Sequence, residues 1–194
     1  MVRNQPNITL IPICNDYVYW QQRVLRQVLG TFRIEILELG RFKEDFLSIT
    51  NMKLDEIFYS QAGLPLNLRW TNFDFERHKD DEDSLRERHL RNLIGPYIFL
   101  HEDESRGFVI DRRYLEPNLP IVQPSLTNNS TIFDYRSLIR FAKQVHCIES
   151  SFSIFVDSLD DSKQELYAHR YARPEAKSNF RNQINYKRNW QIIT

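Results

Sequence analysis

The sequence has no excess charge and is poor in cysteine, and each shortage excludes a class of protein. Its 194 residues carry 26 basic and 26 acidic side chains, so the formal net charge is zero. Such a chain lacks the positive field that attracts nucleic acid or an anionic membrane surface, and we expect no nucleic-acid partner. The two cysteines, Cys14 and Cys147, lie in apolar runs. This predicts buried thiols rather than a disulfide framework or a zinc site.

Long apolar runs and standard cofactor motifs are also missing. No run approaches the ~20 apolar residues that span a bilayer, and no N-terminal signal segment is evident, so we expect a cytoplasmic protein without an integral membrane segment. There is no GxGxxG, P-loop, HExxH or paired CxxC motif. These absences argue against a dinucleotide enzyme, a P-loop NTPase and a zinc enzyme, and we expect neither a metal nor a cofactor.

Short apolar strands alternate with helices in the C-terminal half. The strand-like segments are "PYIFLHE", "GFVIDRRYL", "LPIVQP", "VHCIES" and "QELYAHRYA". One helix is predicted over "IFDYRSLIRFAKQVH", with Leu138, Phe141, Ala142 and Val145 on one face, and another over "SFSIFVDSL". This alternation predicts an α/β fold with a Rossmann-like, mostly parallel sheet that is covered on both faces.

The chain divides into two predicted parts, residues 1–92 and 93–194. The first ~60 residues contain strand and helix patterns of their own, for example "NITLIPI" and the helix-like stretch 16–29. A charge run over 80–87 then predicts a solvated helix face between two lobes. The polar tail contains Trp190, Ile192 and Ile193, which are expected to dock back onto the sheet.

Polar side chains follow two of the predicted strands, where ligands of parallel sheets bind. In "ESSF", Ser150, Ser151 and the backbone amides from Phe152 onward could hold a phosphate. Ser150 and Ser151 could equally cap the helix and do nothing more. The segment therefore predicts either a helix cap or a phosphate site.

The second polar segment is "HEDESRGF", directly after "YIFL". Arg106 could fork onto a diphosphate, and His101, Glu102 or Asp103 could act as a base toward an attacking hydroxyl. The simpler alternative is a solvated turn in which Arg106 only neutralises its neighbours. Its position at the same sheet edge as the serines favours a site.

Other candidates have structural alternatives of equal weight. Arg69 and Trp70 could stack on a base or a sugar, or they could pack between lobes. His169 could face a ligand crevice, or it could pair at the surface with Glu165 or Glu175. His146 lies in an apolar strand and is expected to be a hydrogen-bonded core residue.

Four stretches resemble, in order, a group of bacterial glycosyltransferase-like proteins. They are "FYSQAGLPLNLRW", "PYIFLHEDESRGFVID", "HCIESSFSIFVDSL" and "LYAHRYAR". The resemblance covers roughly residues 58–173 and extends to the fucosyltransferase-like and heptosyltransferase-like enzymes of the two-lobed GT-B fold. It implies a C-terminal lobe that binds a nucleotide-diphosphate sugar, with a glycan or another hydroxyl compound as acceptor.

The resemblance also implies roles for individual residues. Ser150, Ser151 and backbone amides would hold the donor diphosphate. His101 matches the first residue of the H-x-R-R motif of fucosyltransferases, but Asp103 and Glu104 stand where that motif has arginines, and Arg106 is the nearest replacement. The HxGLGD-like glycine turn of the first lobe has no counterpart here, so we expect a shortened N-terminal lobe. Two functions remain open: metal-independent sugar transfer, or nucleotide-sugar binding without turnover.

Overall fold

The computed structural model describes residues 51–125, 130–159 and 163–194, and residue 27 by itself. The strand and helix patterns predicted within residues 1–50, and Cys14, lie outside these ranges. The described part forms an α/β fold around a five-stranded sheet in which every pairing is parallel. The α/β fold and the parallel sheet predicted from the sequence are therefore confirmed.

The sheet has the spatial order β2-β1-β3-β4-β5. Its strands are β1 (Ile98–His101), β2 (Ile121–Val122), β3 (Gln144–Cys147), β4 (Glu165–His169) and β5 (Trp190–Ile193). The α-helices of the described residues are α1 (Leu54–Gln61), α2 (Leu68–Thr71), α3 (Lys79–Leu90), α4 (Arg136–Phe141), α5 (Ser151–Asp157) and α6 (Pro174–Ser178).

Both faces of the central strands are buried, and those of β1 are apolar. Phe99 and Val145 point into the larger cluster, where they meet α4 and α5. Ile98 and Leu100 point into a smaller cluster on the opposite face with Ile110. β1 therefore appears in the sequence as a continuous apolar run, as expected for a parallel strand covered on both sides, whereas one face of β3 carries Gln144 and His146.

The aromatic stretch before α3 packs onto this core. The rings of Phe75 and Phe133 stack with centroids 5.1 Å apart, and Phe75 meets Phe155 of α5 edge to face at 5.4 Å. Such pairs add about 0.5–1.5 kcal/mol each beyond the area they bury. The charged helix α3 is not solvated all round, because Glu82 is buried and accepts hydrogen bonds from Arg77.

A buried carboxylate ties three distant segments together. Asp157, at the end of α5, accepts the indole N–H of Trp70 at 2.7 Å and that of Trp190 at 2.9 Å. It also accepts the backbone N–H groups of Lys187 and Arg188. Four donors thus satisfy the buried carboxylate of Asp157. The same bonds hold the C-terminal segment in place, where β5 pairs with β4. The expected docking of Trp190 is confirmed.

Two sequence predictions about local structure are wrong. The helix predicted through Val145 ends at Phe141, whose ring is 56% exposed, because Val145 belongs to β3. Pairing of β3 with β1 and β4 satisfies its backbone on both sides, which outweighs the helical spacing.

The segment "GFVIDRRYL" is the second error, since it is not a strand. Phe108 forms only an isolated antiparallel bridge with Asp103, and the N–H groups further along donate to side chains: Glu102 accepts from Ile110, and Asp111 accepts from Arg113. Carboxylates that bond nearby backbone in this way compete with sheet pairing. The segment folds into a short 3₁₀ turn, Arg112–Tyr114. Among the described residues, no helix has the length and apolar character needed to cross a membrane.

Candidate ligand-binding site

The strand order reverses between β1 and β3. From β1 the chain moves outward to β2, then returns past β1 to form β3, β4 and β5 on the other side. In open parallel sheets, ligands bind outside the carboxyl ends of the strands at such a reversal. The register pairs His101, the last residue of β1, with Cys147, the last residue of β3. The two polar segments singled out in the sequence therefore begin side by side at this point.

The segments touch through a hydroxyl and an imidazole. Ser150 Oγ lies 3.2 Å from His101 Nδ1, and the imidazole packs on the ring of Phe152, with centroids 4.2 Å apart. Burial lowers the pKa of His101 to about 4, although the carboxylates of Asp103 and Glu102 oppose this shift. The imidazole is therefore neutral at pH 7, and it can share a proton with a hydroxyl without adding a charge.

A cleft of about 550 Å³ opens beside this contact. Its walls are residues 101–105 of the loop that follows β1, the residues Gln123 and Pro124 that follow β2, and Phe152 of α5. The side chains of Arg106, Ser150 and Ser151 lie next to the cleft and are not among its lining residues. The volume is that of a pocket for a small molecule. The carboxyl ends of β1 and β2, together with the start of α5, thus form one concave surface.

Inside the loop, Asp103 and Arg106 neutralise each other. Arg106 Nε donates to Asp103 at 2.6 Å, and Ser105 Oγ donates to the same carboxylate at 2.6 Å. Gly107 closes the turn with a positive φ of 73°, which favours glycine. Hydrogen bonds from Ser105 and Arg106 lower the pKa of Asp103. Asp103 is consequently a weak base, and the Arg106 guanidinium is exposed but paired.

Glu102 holds the loop in place. Its buried carboxylate accepts the N–H of Ile110 at 2.8 Å, Arg112 Nη1 at 2.9 Å and Gln123 Nε2 at 2.7 Å. Burial by itself would raise the pKa of Glu102, but the hydrogen bonds from Arg112 and Ile110 lower it. Glu102 therefore remains ionised and joins the loop to β2.

At the "ESSF" corner the two serines differ. Ser150 precedes α5, and its backbone N–H donates to Ser153 Oγ at 3.0 Å, which caps the helix. The Ser150 hydroxyl faces His101 as well, so it has more than a capping role. Ser151 is exposed, and its hydroxyl makes no hydrogen bond with the rest of the described residues. Phe152 contributes its buried ring to the wall of the cleft.

Three further candidates lie inside the fold. Arg69 is buried and donates to Asp55 at 2.6 Å, and the Trp70 indole bonds Asp157. His169 is fully buried, with Nε2 2.9 Å from Nδ1 of His146, so the predicted surface pairing with Glu165 or Glu175 is wrong. His146 is the hydrogen-bonded core residue that the sequence predicted. None of the three side chains lines the cleft.

The structure adds a charged cluster to which sequence reasoning assigned no role. Glu149, two residues after the end of β3, is fully buried and accepts Arg170 Nη2 at 3.0 Å. Its backbone carbonyl accepts Arg173 Nη1 at 2.6 Å. The available signal was the spacing of the two arginines in "HRYAR", just after β4. This cluster borders the serine corner on the side away from His101.

The described residues contain no group of three or more His, Cys, Asp or Glu side chains placed to hold a metal ion. Comparison of the chain with protein-family models, with curated proteins and with solved structures finds no match. The geometry of the cleft therefore carries the functional inference.

Proposed function

We propose that this chain is a glycosyltransferase-like protein that binds a nucleotide-diphosphate sugar at the carboxyl ends of β1 and β3. In this proposal residues 93–194 form the nucleotide-sugar lobe of a GT-B-like protein. The observation that supports it best is the contact between Ser150 and His101 at the reversal of strand order, with a cleft beside it.

The polar groups at this corner suit a diphosphate. Ser151 offers an exposed hydroxyl, and Ser150 with His101 offers a hydroxyl and an imidazole that can reorganise around a ligand oxygen. The Arg106–Asp103 pair is largely exposed, so exchanging the carboxylate for a phosphate oxygen costs Arg106 little. In sugar transfer these groups would stabilise the charge that develops on the leaving diphosphate.

Binding without turnover is the second candidate, and one observation favours it. Each carboxylate of the loop that could accept a proton from an acceptor hydroxyl has its pKa lowered by hydrogen bonds, Glu102 by Arg112 and Asp103 by Ser105. The imidazole of His101, with a pKa of about 4, is also a weak base near neutral pH. These observations favour a protein that binds the nucleotide sugar but lacks an efficient base for transfer.

Calorimetric titration with UDP, GDP and ADP and with their sugar conjugates tests the proposal. At least one nucleotide should bind, and Ser151→Ala and Arg106→Ala should each weaken it by about 10-fold, the equivalent of one hydrogen bond to a charged group. Ser84→Ala, which removes an exposed hydroxyl on α3, should leave binding unchanged. Absence of binding by every nucleotide and conjugate would refute the proposal.

Turnover separates the two candidates. With a donor that binds, release of free nucleoside diphosphate in the presence of a hydroxyl acceptor supports transfer. Tight binding of the donor without release of nucleoside diphosphate, with a panel of sugar acceptors and with water alone, supports binding without turnover.

A further inference from the structure

Arg173 is a charged residue at this sheet edge to which neither the sequence nor the resemblance gave a role. It follows β4, and its Nη1 donates to the backbone carbonyl of Glu149, the residue directly before Ser150. Its Nε is buried and has no hydrogen-bond partner among the described residues. An unsatisfied buried donor in a folded protein requires an explanation, and one explanation is a missing ligand.

The charge on Arg173 is not neutralised by its neighbours. Glu149 Oε1 is paired with Arg170 at 3.0 Å, Glu149 Oε2 is buried without a hydrogen-bond partner among the described residues, and Arg173 is bonded only to the carbonyl of Glu149. The nearest acid is Glu175, at 3.8 Å, and that side chain is 54% exposed. An ion pair of this length at the surface contributes little. Arg173 is therefore only weakly paired with a carboxylate, and it lies beside the serine corner.

Arg173 and Arg106 also converge on one aromatic ring. The guanidinium carbon of Arg106 lies 5.1 Å from the centroid of Phe108, and that of Arg173 lies 6.0 Å from it. Arg106 comes from the loop after β1 and Arg173 from the segment after β4. The two cations therefore lie near the same ring, and the bond from Arg173 to the Glu149 carbonyl places this pair beside the serine corner.

We infer that Arg173 is a ligand-binding residue that clamps a diphosphate together with Arg106, beside the serine corner. A guanidinium presents a planar fork of donors that matches phosphate oxygens, and two forks suit the two phosphoryl groups of a diphosphate. The identity of the ligand rests on the proposed function, whereas the convergence of charge does not.

Arg173→Gln tests the inference, with Arg113→Gln as the matched control. Arg113 is an exposed arginine paired with Asp111 on a neighbouring turn. We expect Arg173→Gln to weaken binding of a nucleoside diphosphate and of inorganic pyrophosphate by about 10- to 100-fold. The corresponding nucleoside should bind unchanged, and Arg113→Gln should match the parent chain with all three probes.

The outcomes separate this inference from the proposed function. If the parent chain binds nucleoside diphosphates and Arg173→Gln binds them equally, the inference is wrong and the proposed function stands. If pyrophosphate binds through Arg173 but no nucleotide or nucleotide sugar binds, the inference stands and the proposed function fails. If the parent chain binds neither pyrophosphate nor a nucleotide, both are wrong.

Arg173 also holds the Glu149 carbonyl, so thermal melting accompanies each titration. If Arg173→Gln melts well below the parent chain, Arg173→Lys replaces it. Lysine keeps the charge but lacks the fork, and it should bind pyrophosphate severalfold more weakly than arginine does. Equal affinity of the folded lysine variant would contradict the inference.

Discussion

Mild acid should unfold this protein through its buried histidines. His146 and His169 are fully buried and lie in contact, and His101 is partly buried in the cleft. Burial lowers the pKa of His146 to about 3, and those of His101 and His169 to about 4. In an unfolded chain the same side chains have a pKa near ~6.5.

The direction follows from which state takes up protons first. As the pH falls below about 6.5 the unfolded chain binds a proton at each histidine, while the native protein does not until about pH 4. Stability is therefore complete above the unfolded pKa and is lost as the pH falls toward the native values. Each site contributes a slope of about 1.4 kcal/mol per pH unit, so the three give about 4 kcal/mol per unit between about pH 5.5 and 4.5.

Urea unfolding followed by tryptophan fluorescence, from about pH 7.5 to about pH 4.5, measures this slope. A loss of about 4 kcal/mol is a large part of the 5–15 kcal/mol that holds a typical domain together, so the native state should fail within this window. A slope below about 2.8 kcal/mol per unit at about pH 5 would mean that fewer than two of these histidines are held neutral, which would refute the reasoning.

Two variants check the assignment. His146→Phe keeps an aromatic ring where the imidazole stacks on Tyr167 at 4.3 Å, but removes one titrating group. The slope should fall by one third, to about 2.7 kcal/mol per unit, whatever the stability at neutral pH. Ser84→Ala, at an exposed position of α3, removes no titrating group and should leave the slope unchanged.

Three further predictions concern stability, and urea unfolding at neutral pH measures each. Asp157→Asn should cost about 3 kcal/mol, because the new amide group faces two indole and two backbone N–H donors; a loss below about 1 kcal/mol would contradict this. Tyr97→Phe should cost about 1 kcal/mol, since the buried hydroxyl donates to the Leu138 carbonyl at 2.6 Å, and no change would mean that this bond contributes nothing. Glu102→Gln should cost about 2 kcal/mol and speed proteolysis after Arg112, because the pair that holds the loop is lost; an unchanged cleavage rate would argue against this role.

The sheet was predictable because its information is local. A strand buried on both faces is mostly apolar, so "YIFL" and "VHCI" indicate β1 and β3 without knowledge of their neighbours, although His146 of β3 is a buried polar residue. The same locality explains the errors. Val145 continues a helical spacing from Leu138, and only pairing with β1 and β4 assigns it to a strand.

The candidate site was predictable in part for the same reason. Strand ends mark where ligand-binding loops begin, and this placed "ESSF" and "HEDESRGF" at one sheet edge. Which side chains meet there was not predictable, because it depends on the directions of side chains from separate strands. Arg173 reaches the serine corner only because β4 pairs with β3, and His169 is buried because two tyrosines and His146 surround it.

By itself the sequence determined a parallel α/β fold and the sheet edge at which its polar loops lie. Strands buried on two faces are short apolar runs, and their alternation with helical patterns can be recognised in the sequence. The tertiary structure decided which charges at that edge neutralise each other and which do not. Arg106 and Asp103 form a close ion pair within one turn. Arg173 has only a long pair with Glu175, because Glu149 Oε1 is paired with Arg170. An ion pair requires a distance of a few ångströms between two side chains. For residues far apart in the chain, only the folded structure sets that distance.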